Sequence, residues 1–218
     1  MELHFDQELS ELKDMLLRLS SQAEQNVALA LKALVQRDDA LASSIDEFDS
    51  QLDRLQMDID ERCVQLIAIR QPKARDLRFL VMTMKIAAEL ERIGDQAVNI
   101  ARRTIELNKE PVLKPFIDIP RMADISRGMT HDVLDAFVYE KPDLALAIIK
   151  RDDEVDQIEN QLHRELTSFM LEDPHTITRA MNLMGIAHNL ERIADHATNI
   201  AEEVVYLYEA RDIRHQPQ

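Results

Sequence analysis

Residues 90–101 read LERIGDQAVNIA, and residues 190–201 read LERIADHATNIA. The two segments lie 100 positions apart and differ at three of their twelve residues. Each carries a Glu, an Asp and an Asn at four-residue intervals, a spacing that places side chains above one another on one face of an α-helix. The chain is therefore predicted to consist of two similar halves, each with a long helix that presents the same row of oxygen ligands.

The chain around these segments has the spacing of helices that pack in bundles. Apolar residues recur at intervals of three and four positions, as in amphipathic helices with one buried face. Breaks divide the pattern into six predicted helices, and they fall at residues 37–39, 71–72, 109–120, 139–142 and 172–174. Pro72 is predicted in the first turn of the third helix, and the fifth helix is predicted to run without interruption over about residues 143–170.

The second helix of each half carries a polar row of its own, with spacings of four, three and four residues. The rows are Asp49, Asp53, Gln56 and Asp60 in the first half, and Asp152, Asp156, Glu159 and His163 in the second. Short connections make neighbouring helices antiparallel. We therefore predict an all-α fold of two tandem three-helix bundles related by a pseudo-two-fold axis, with domains at 1–110 and 121–218 and a linker at 111–120 that contains three prolines.

Composition limits the possible partners. The net charge of −15 disfavours contact with nucleic acid or with anionic membranes. The longest apolar run is the six residues 144–149, against about 20 for a membrane-spanning helix. The acidic N-terminus does not resemble a signal peptide, and the single Cys63 fits a reducing compartment. We expect a cytoplasmic protein without stable membrane insertion.

The rows of oxygen ligands have two interpretations. They lie opposite the main apolar stripe of their helices, so they could be solvated polar faces. However, an apolar line of Val81, Met84 and Ala88 leads into the first row, and like charges four residues apart repel each other unless a cation lies between them. Oxygen ligands suit Mg²⁺, Ca²⁺, Mn²⁺ or iron, and Zn²⁺ also stays open. The candidate metal ligands are Glu91, Asp95, Asn99, Glu191, Asp195, Asn199, Asp49, Asp53, Asp152 and Asp156.

Neighbouring residues are predicted to play structural parts. His188 lies three residues before Glu191, but its counterpart is Ala88, so a structural role is favoured. His196 is predicted to face solvent. Arg92 and Arg192 are predicted either to pair with acidic residues of adjacent helices or to be solvated at the surface.

Evidence for catalysis is sparse. The three glycines are isolated, and no nucleophile with an adjacent base is evident. The dipeptide His131-Asp132 resembles part of a metal phosphohydrolase motif, but no further spaced histidines support it. We therefore predict that the chain is not an enzyme. A metal-dependent enzyme built on a helical bundle is the alternative.

Several motifs together resemble the PhoU family of bacterial phosphate-signalling regulators. They are the segments 59–64, 70–72, 76–78 and 89–95 in the first half, and 131–137, 172–174 and 191–195 in the second. The resemblance covers nearly the whole chain. It implies two three-helix bundles, and metal binding at Glu91/Asp95 and Glu191/Asp195. Ala194 in place of Gly94 implies that the two sites need not be equivalent.

The resemblance also implies a function. PhoU proteins repress the phosphate-starvation response and restrain phosphate uptake when phosphate is plentiful. They link the ATPase subunit of the phosphate transporter to a sensor histidine kinase. The resemblance implies a homodimer as well, which in a chain of net charge −15 needs an apolar or charge-compensated patch.

Overall fold

The computed structural model describes residues 2–214, with side chains from residue 5 onward. Within this part of the chain the structure is helical and contains no strand. The helices are α1 (Glu2–Gln36), α2 (Asp39–Arg70), α3 (Arg75–Asn108), α4 (Asp118–Val138), α5 (Pro142–Ile149), α6 (Asp152–Glu172) and α7 (Ile177–Glu209). A single 3₁₀ turn, Pro174–Thr176, precedes α7. Position 1 and positions 215–218 of the predicted domains lie outside the described residues.

Helices α1, α2 and α3 form the first bundle. The predicted apolar stripe of α3 is buried, from Phe79 to Leu107. Helix α2 begins where Asp38 Oδ1 accepts the backbone N–H of Leu41 at 2.9 Å, which satisfies one of the unpaired donors of the first turn. It ends at Gln71, which adopts a left-handed conformation. The helix that follows starts only at Arg75, so the prediction of Pro72 in its first turn is wrong.

Helices α4, α5, α6 and α7 form the second bundle. The prediction of one uninterrupted helix over residues 143–170 is wrong, because the chain breaks at Lys150 and Arg151 between α5 and α6. Three acidic residues, Asp152, Asp153 and Glu154, form the first turn of α6, where the positive end of the helix dipole favours them. These charges stabilise a new helix start where apolar periodicity alone suggests continuation.

Helices α3 and α7 pack against each other along the centre of the molecule. The ion pair of Lys85 with Glu203, at 2.9 Å, and the hydrogen bond from Asn199 to Glu89, at 3.1 Å, show that the two helices run antiparallel. One apolar core extends through both halves. The predicted two bundles are therefore joined along α3 and α7.

The segment between the halves is held by side chains from both. Arg37 of the first half donates to the carbonyls of Asn108 and Glu110 at 2.9 and 2.7 Å. Arg179 of the second half donates to the carbonyl of Pro111 at 3.2 Å. Helix α4 begins at Asp118, inside the predicted linker. None of the described helices combines the length and apolar content that crossing a membrane requires.

Candidate metal centres

The acidic row of α2 and that of α3 face each other in the first bundle. Asp49 and Asp53 of α2 lie close enough to Glu91 and Asp95 of α3 for these charges to affect one another. Burial raises the pKa of Asp49 to about 7, and repulsion from Asp53, Asp95 and Glu91 adds to the effect. Asp49 Oδ1 is buried without a hydrogen-bond partner among the described residues. The four predicted carboxylates thus form one cluster that disfavours full ionisation.

Gly94 allows the two helices to approach at this cluster. A Cβ atom at position 94 would lie 2.8 Å from Asp49 Oδ1 and 3.2 Å from a methyl group of Leu52. The absence of a side chain therefore lets Asp49 pack against the backbone of α3. Ala194 is fully buried at the corresponding place in α7. The predicted difference between the two halves thus has a steric basis at Gly94.

The second cluster lies between α6 and α7. Burial raises the pKa of Asp152 to about 6, with added repulsion from Asp195 and Asp156. Burial likewise raises the pKa of Glu191 to about 7, followed by repulsion from Asp195 and Glu159. Asp152 Oδ1 is buried without a hydrogen-bond partner in the described part of the chain. The predicted carboxylates of the second half therefore also form one cluster.

His188 and Glu159 belong to this second cluster. His188 Nδ1 lies 3.2 Å from Glu191 Oε2 and 3.4 Å from Glu159 Oε1. One potential ligand atom from each of the three residues lies within 4.8 Å of the other two. The structural role predicted for His188 stays a prediction, and its position against Glu191 and Glu159 also makes it a candidate ligand. Glu159 joins the candidate ligands because it lies on the same polar row of α6 as Asp152 and Asp156, and the packing of α6 on α7 brings it to Glu191.

The two clusters differ in composition. Gln56 and Ala88 of the first half occupy the positions of Glu159 and His188 in the second. The first cluster thus offers carboxylate oxygens, which suit hard cations such as Mg²⁺ or Ca²⁺. The second adds an imidazole nitrogen and a fifth carboxylate, which suit Mn²⁺, iron or Zn²⁺ as well.

The other predicted site residues lie at the edges of the clusters. Asn99 is half-buried on α3, whereas the side-chain nitrogen of Asn199 donates across to Glu89. Arg92 and Arg192 are exposed at the surface, which was one of the two predicted alternatives, and they pair with Glu89 and Asp195 of their own helices at 2.6 and 2.9 Å.

The predicted exposure of His196 is wrong. The residue is 2% exposed, and Nδ1 lies 2.8 Å from Glu89 Oε2 between α3 and α7. The antiparallel pairing of α3 and α7 brings the face of α7 that carries His196 against α3, and periodicity on a single helix does not indicate this pairing.

The residues of both clusters fit a bound cation. Buried carboxylate oxygens without partners are costly, and converging negative charges are mutually unfavourable. A divalent cation would coordinate the unpartnered oxygens and would also remove the repulsion between the carboxylates. The same carboxylates that are strained without a cation are therefore suitable ligands for one.

Comparison with known proteins identifies related chains. The family model described as "PhoU domain" matches residues 16–104 and 119–204, once in each half. A phosphate-specific transport system accessory protein PhoU homolog from Pseudomonas putida is 40% identical over 97% of this chain and 83% of its own. A homolog of the same name from Aquifex aeolicus is 41% identical over 96% of this chain and 95% of its own.

Solved structures match the whole fold. The crystal structure of PhoU from Pseudomonas aeruginosa aligns with a TM-score of 0.91 and 38% identity, over 95% of this chain and 100% of that one. The phosphate transport system regulatory protein PhoU from Streptococcus pneumoniae aligns with a TM-score of 0.89 and 30% identity, over 96% and 99%. The predicted all-α fold of paired three-helix bundles is confirmed.

Proposed function

Because the chain belongs to the PhoU family, we propose that it is an accessory regulator of phosphate-specific transport and a negative regulator of the phosphate-starvation response. The observation that carries the proposal is similarity over nearly the full length to relatives that are named accessory proteins of that transport system. The two matches to the family model fall on the two halves that contain the acidic clusters.

The proposed mechanism is that of an adaptor. In the cytoplasm, the chain would contact the ATPase subunit of the phosphate transporter and a sensor histidine kinase, and so connect transport to gene expression. The net charge of −15 favours basic surfaces on these partners. The alternative of a metal-dependent enzyme is disfavoured because the names of the relatives describe accessory proteins.

The clusters are proposed to bind metal ions that stabilise the bundles. Asp49, Asp53, Glu91 and Asp95 would hold an ion between α2 and α3. Asp152, Asp156, Glu191 and Asp195 would hold one between α6 and α7, with Glu159 and His188 as further ligands. Asn99 and Asn199 remain candidates at the cluster edges. Each ion would neutralise carboxylates on two helices and thereby join them.

Deleting the gene is expected to derepress phosphate-starvation genes in high phosphate, because the proposed brake on the sensor kinase is lost. A reporter fused to a starvation promoter measures this. Expression should rise to the level of starved wild-type cells and return to baseline when the wild-type chain is supplied from a plasmid. Unchanged reporter expression in the deletion strain would reject the proposed negative regulation.

The chain is also proposed to form a homodimer. Exposed apolar side chains such as Ile69, Met57 and Val64 on α2 could contribute to a contact between copies. Light scattering at micromolar concentration should then give twice the chain mass of 25.2 kDa. A mass of one chain under these conditions would contradict the dimer.

A further inference from the structure

A second polar site lies in the first bundle, away from the acidic clusters. Between α1 and α2 is a cavity of about 250 Å³. Its lining consists of four amide side chains and one aromatic ring, namely Gln22, Gln25, Asn26, Gln51 and Phe48. None of these side chains ionises, which is unusual in a chain with 31% charged residues. Unlike the acidic clusters, the cavity therefore offers uncharged hydrogen-bond donors and acceptors beside an aromatic ring.

Two polar atoms of the cavity are buried and unsatisfied. Asn26 is only 3% exposed, and its Nδ2 has no hydrogen-bond partner among the described residues. Gln22 Oε1, one helical turn earlier on the same face of α1, is also buried without a partner there. An unpaired buried donor or acceptor costs about 1–3 kcal/mol. A donor and an acceptor one helical turn apart on the same face of α1 thus both lack a hydrogen-bond partner among the described residues.

In the second half of the chain, different residues occupy the positions that correspond to the lining of the cavity. The acidic rows align at an offset of 103, with Asp49 matching Asp152. At that offset Asn26 corresponds to Met129, which is fully buried in the apolar core. Gln25 and Phe48 correspond to Gly128 and Arg151, and the Arg151 guanidinium lies 3.3 Å from the position of a Cβ on Gly128. The bundle therefore does not require Asn26, since a methionine fills its place in the duplicate.

We propose that this cavity binds an amino-substituted nucleobase, with adenine as the best-matching ring. The Hoogsteen edge of adenine carries an acceptor, N7, beside a donor, the N6 amino group, and amide side chains recognise this pair. Asn26 Nδ2 would donate to N7 and Gln22 Oε1 would accept from N6. Phe48 is 37% exposed at the cavity and offers a face on which the base stacks.

The lining also indicates which part of a nucleotide enters. With no cation in the lining and a strongly acidic chain around it, the cavity does not suit a phosphate group. The volume is below the 300–1,000 Å³ of typical ligand pockets, so it fits a base rather than a whole nucleotide. The sugar and any phosphates would point outward into solvent.

Titration of the ¹⁵N-labelled full chain with adenosine tests the proposal. We expect saturable shifts of the side-chain amide signals of Asn26 and Gln22. 7-Deazaadenosine carries a C–H group in place of N7 and should bind about tenfold more weakly, because the Asn26 amide then finds no hydrogen-bond partner at that position in either orientation. The variant N26M introduces the residue of the duplicate and should fold normally while it binds adenosine at least tenfold more weakly.

A second variant and a control complete the experiment. F48A removes the stacking ring at the surface and should weaken binding about fivefold or more. Q65M changes an exposed glutamine of α2 outside the cavity and should bind adenosine like the wild type. The proposal is overturned if adenosine gives no saturable shifts at 10 mM, which would mean a cavity filled by water alone. Equal binding of adenosine to the wild type and N26M, or equal binding of 7-deazaadenosine and adenosine to the wild type, would overturn it as well.

Discussion

Adding EDTA to protein purified without chelator is expected to lower its melting temperature by about 5–10 °C. A ligand at a hundredfold excess over its dissociation constant stabilises a fold by about 2.7 kcal/mol. For a chain of this size each kcal/mol corresponds to about 2–4 °C. The ions proposed between α2 and α3 and between α6 and α7 would supply this stabilisation. Differential scanning calorimetry, together with elemental analysis of the same sample, measures the change and identifies the metal.

Variants separate this result from simple charge repulsion. If a cation lies in each cluster, Asp95→Ala and Asp195→Ala should melt lower, contain less metal and respond less to EDTA. If the acids only repel each other in water, Asp95→Ala should stabilise the helix by about 0.2–0.5 kcal/mol. The exposed Asp58 of α2 provides the control, since Asp58→Ala should change neither melt nor metal content. An EDTA-insensitive wild type with both variants at or above its melting temperature would reject the metal sites.

The pH dependence of the chelated protein supplies an independent check. The pKa values of Asp49 and Glu191 are raised to about 7, so the folded state binds more protons than the unfolded state between about pH 4 and pH 7. Stability is therefore lost as the pH rises through this window. The chelated protein should melt higher at pH 5.5 than at pH 8, and saturating metal should reduce the difference. A chelated protein that is more stable at pH 8 than at pH 5.5 would contradict the raised pKa values of Asp49 and Glu191 in the folded state.

Replacing Glu89 by Ala is expected to destabilise the chain by about 3 kcal/mol. Its carboxylate lies between α3 and α7, where Oε2 contacts His196 and Asn199, and Oε1 accepts from Arg92 at 2.6 Å. Removing one partner of a buried polar network leaves the others unsatisfied, which accounts for most of the cost. Chemical denaturation monitored by circular dichroism measures the change.

An exposed glutamate of the same helix provides the matched control. Glu106 pairs with Lys109 at 2.7 Å on the surface, and such pairs contribute about 0–1 kcal/mol. Glu106→Ala should therefore change stability little. Glu89→Gln should fall between the wild type and Glu89→Ala, because an amide keeps one acceptor for Asn199. Equal stability of Glu89→Ala and Glu106→Ala would show that the contact with His196 contributes nothing.

The fold was largely predictable from the sequence because the spacing of apolar residues and the internal repeat both indicate paired helical bundles. The three-and-four spacing of apolar residues located the helices, and the repeat over 100 residues paired the halves. The break between α5 and α6 escaped prediction, since Ile149 and Val155 continue the apolar pattern across it. The break lies at Lys150 and Arg151. The acidic first turn of α6, which directly follows them, favours the start of a new helix over continuation of α5.

The candidate metal centres were predicted in part. Spacing on one helix places Glu91 with Asp95, and the equal spacing in α2 brings Asp49 and Asp53 opposite them. Periodicity on single helices could not place His188 and His196, because their partners Glu159 and Glu89 lie on other helices. Which residues meet across two helices depends on rotation and register, and these are set by packing of the whole core.

The antiparallel pairing of α3 and α7 has the symmetry of an isologous dimer interface, in which each contact recurs across a two-fold axis. In a true homodimer every substitution would appear on both sides of that axis. Here Lys85 pairs with Glu203, whereas the equivalent positions hold Gly185 and Arg103, with the guanidinium lying over the glycine. Because the two repeats are parts of one chain, each can change its own residues at the contact between α3 and α7. A substitution in α3 is therefore not accompanied by the same substitution in α7.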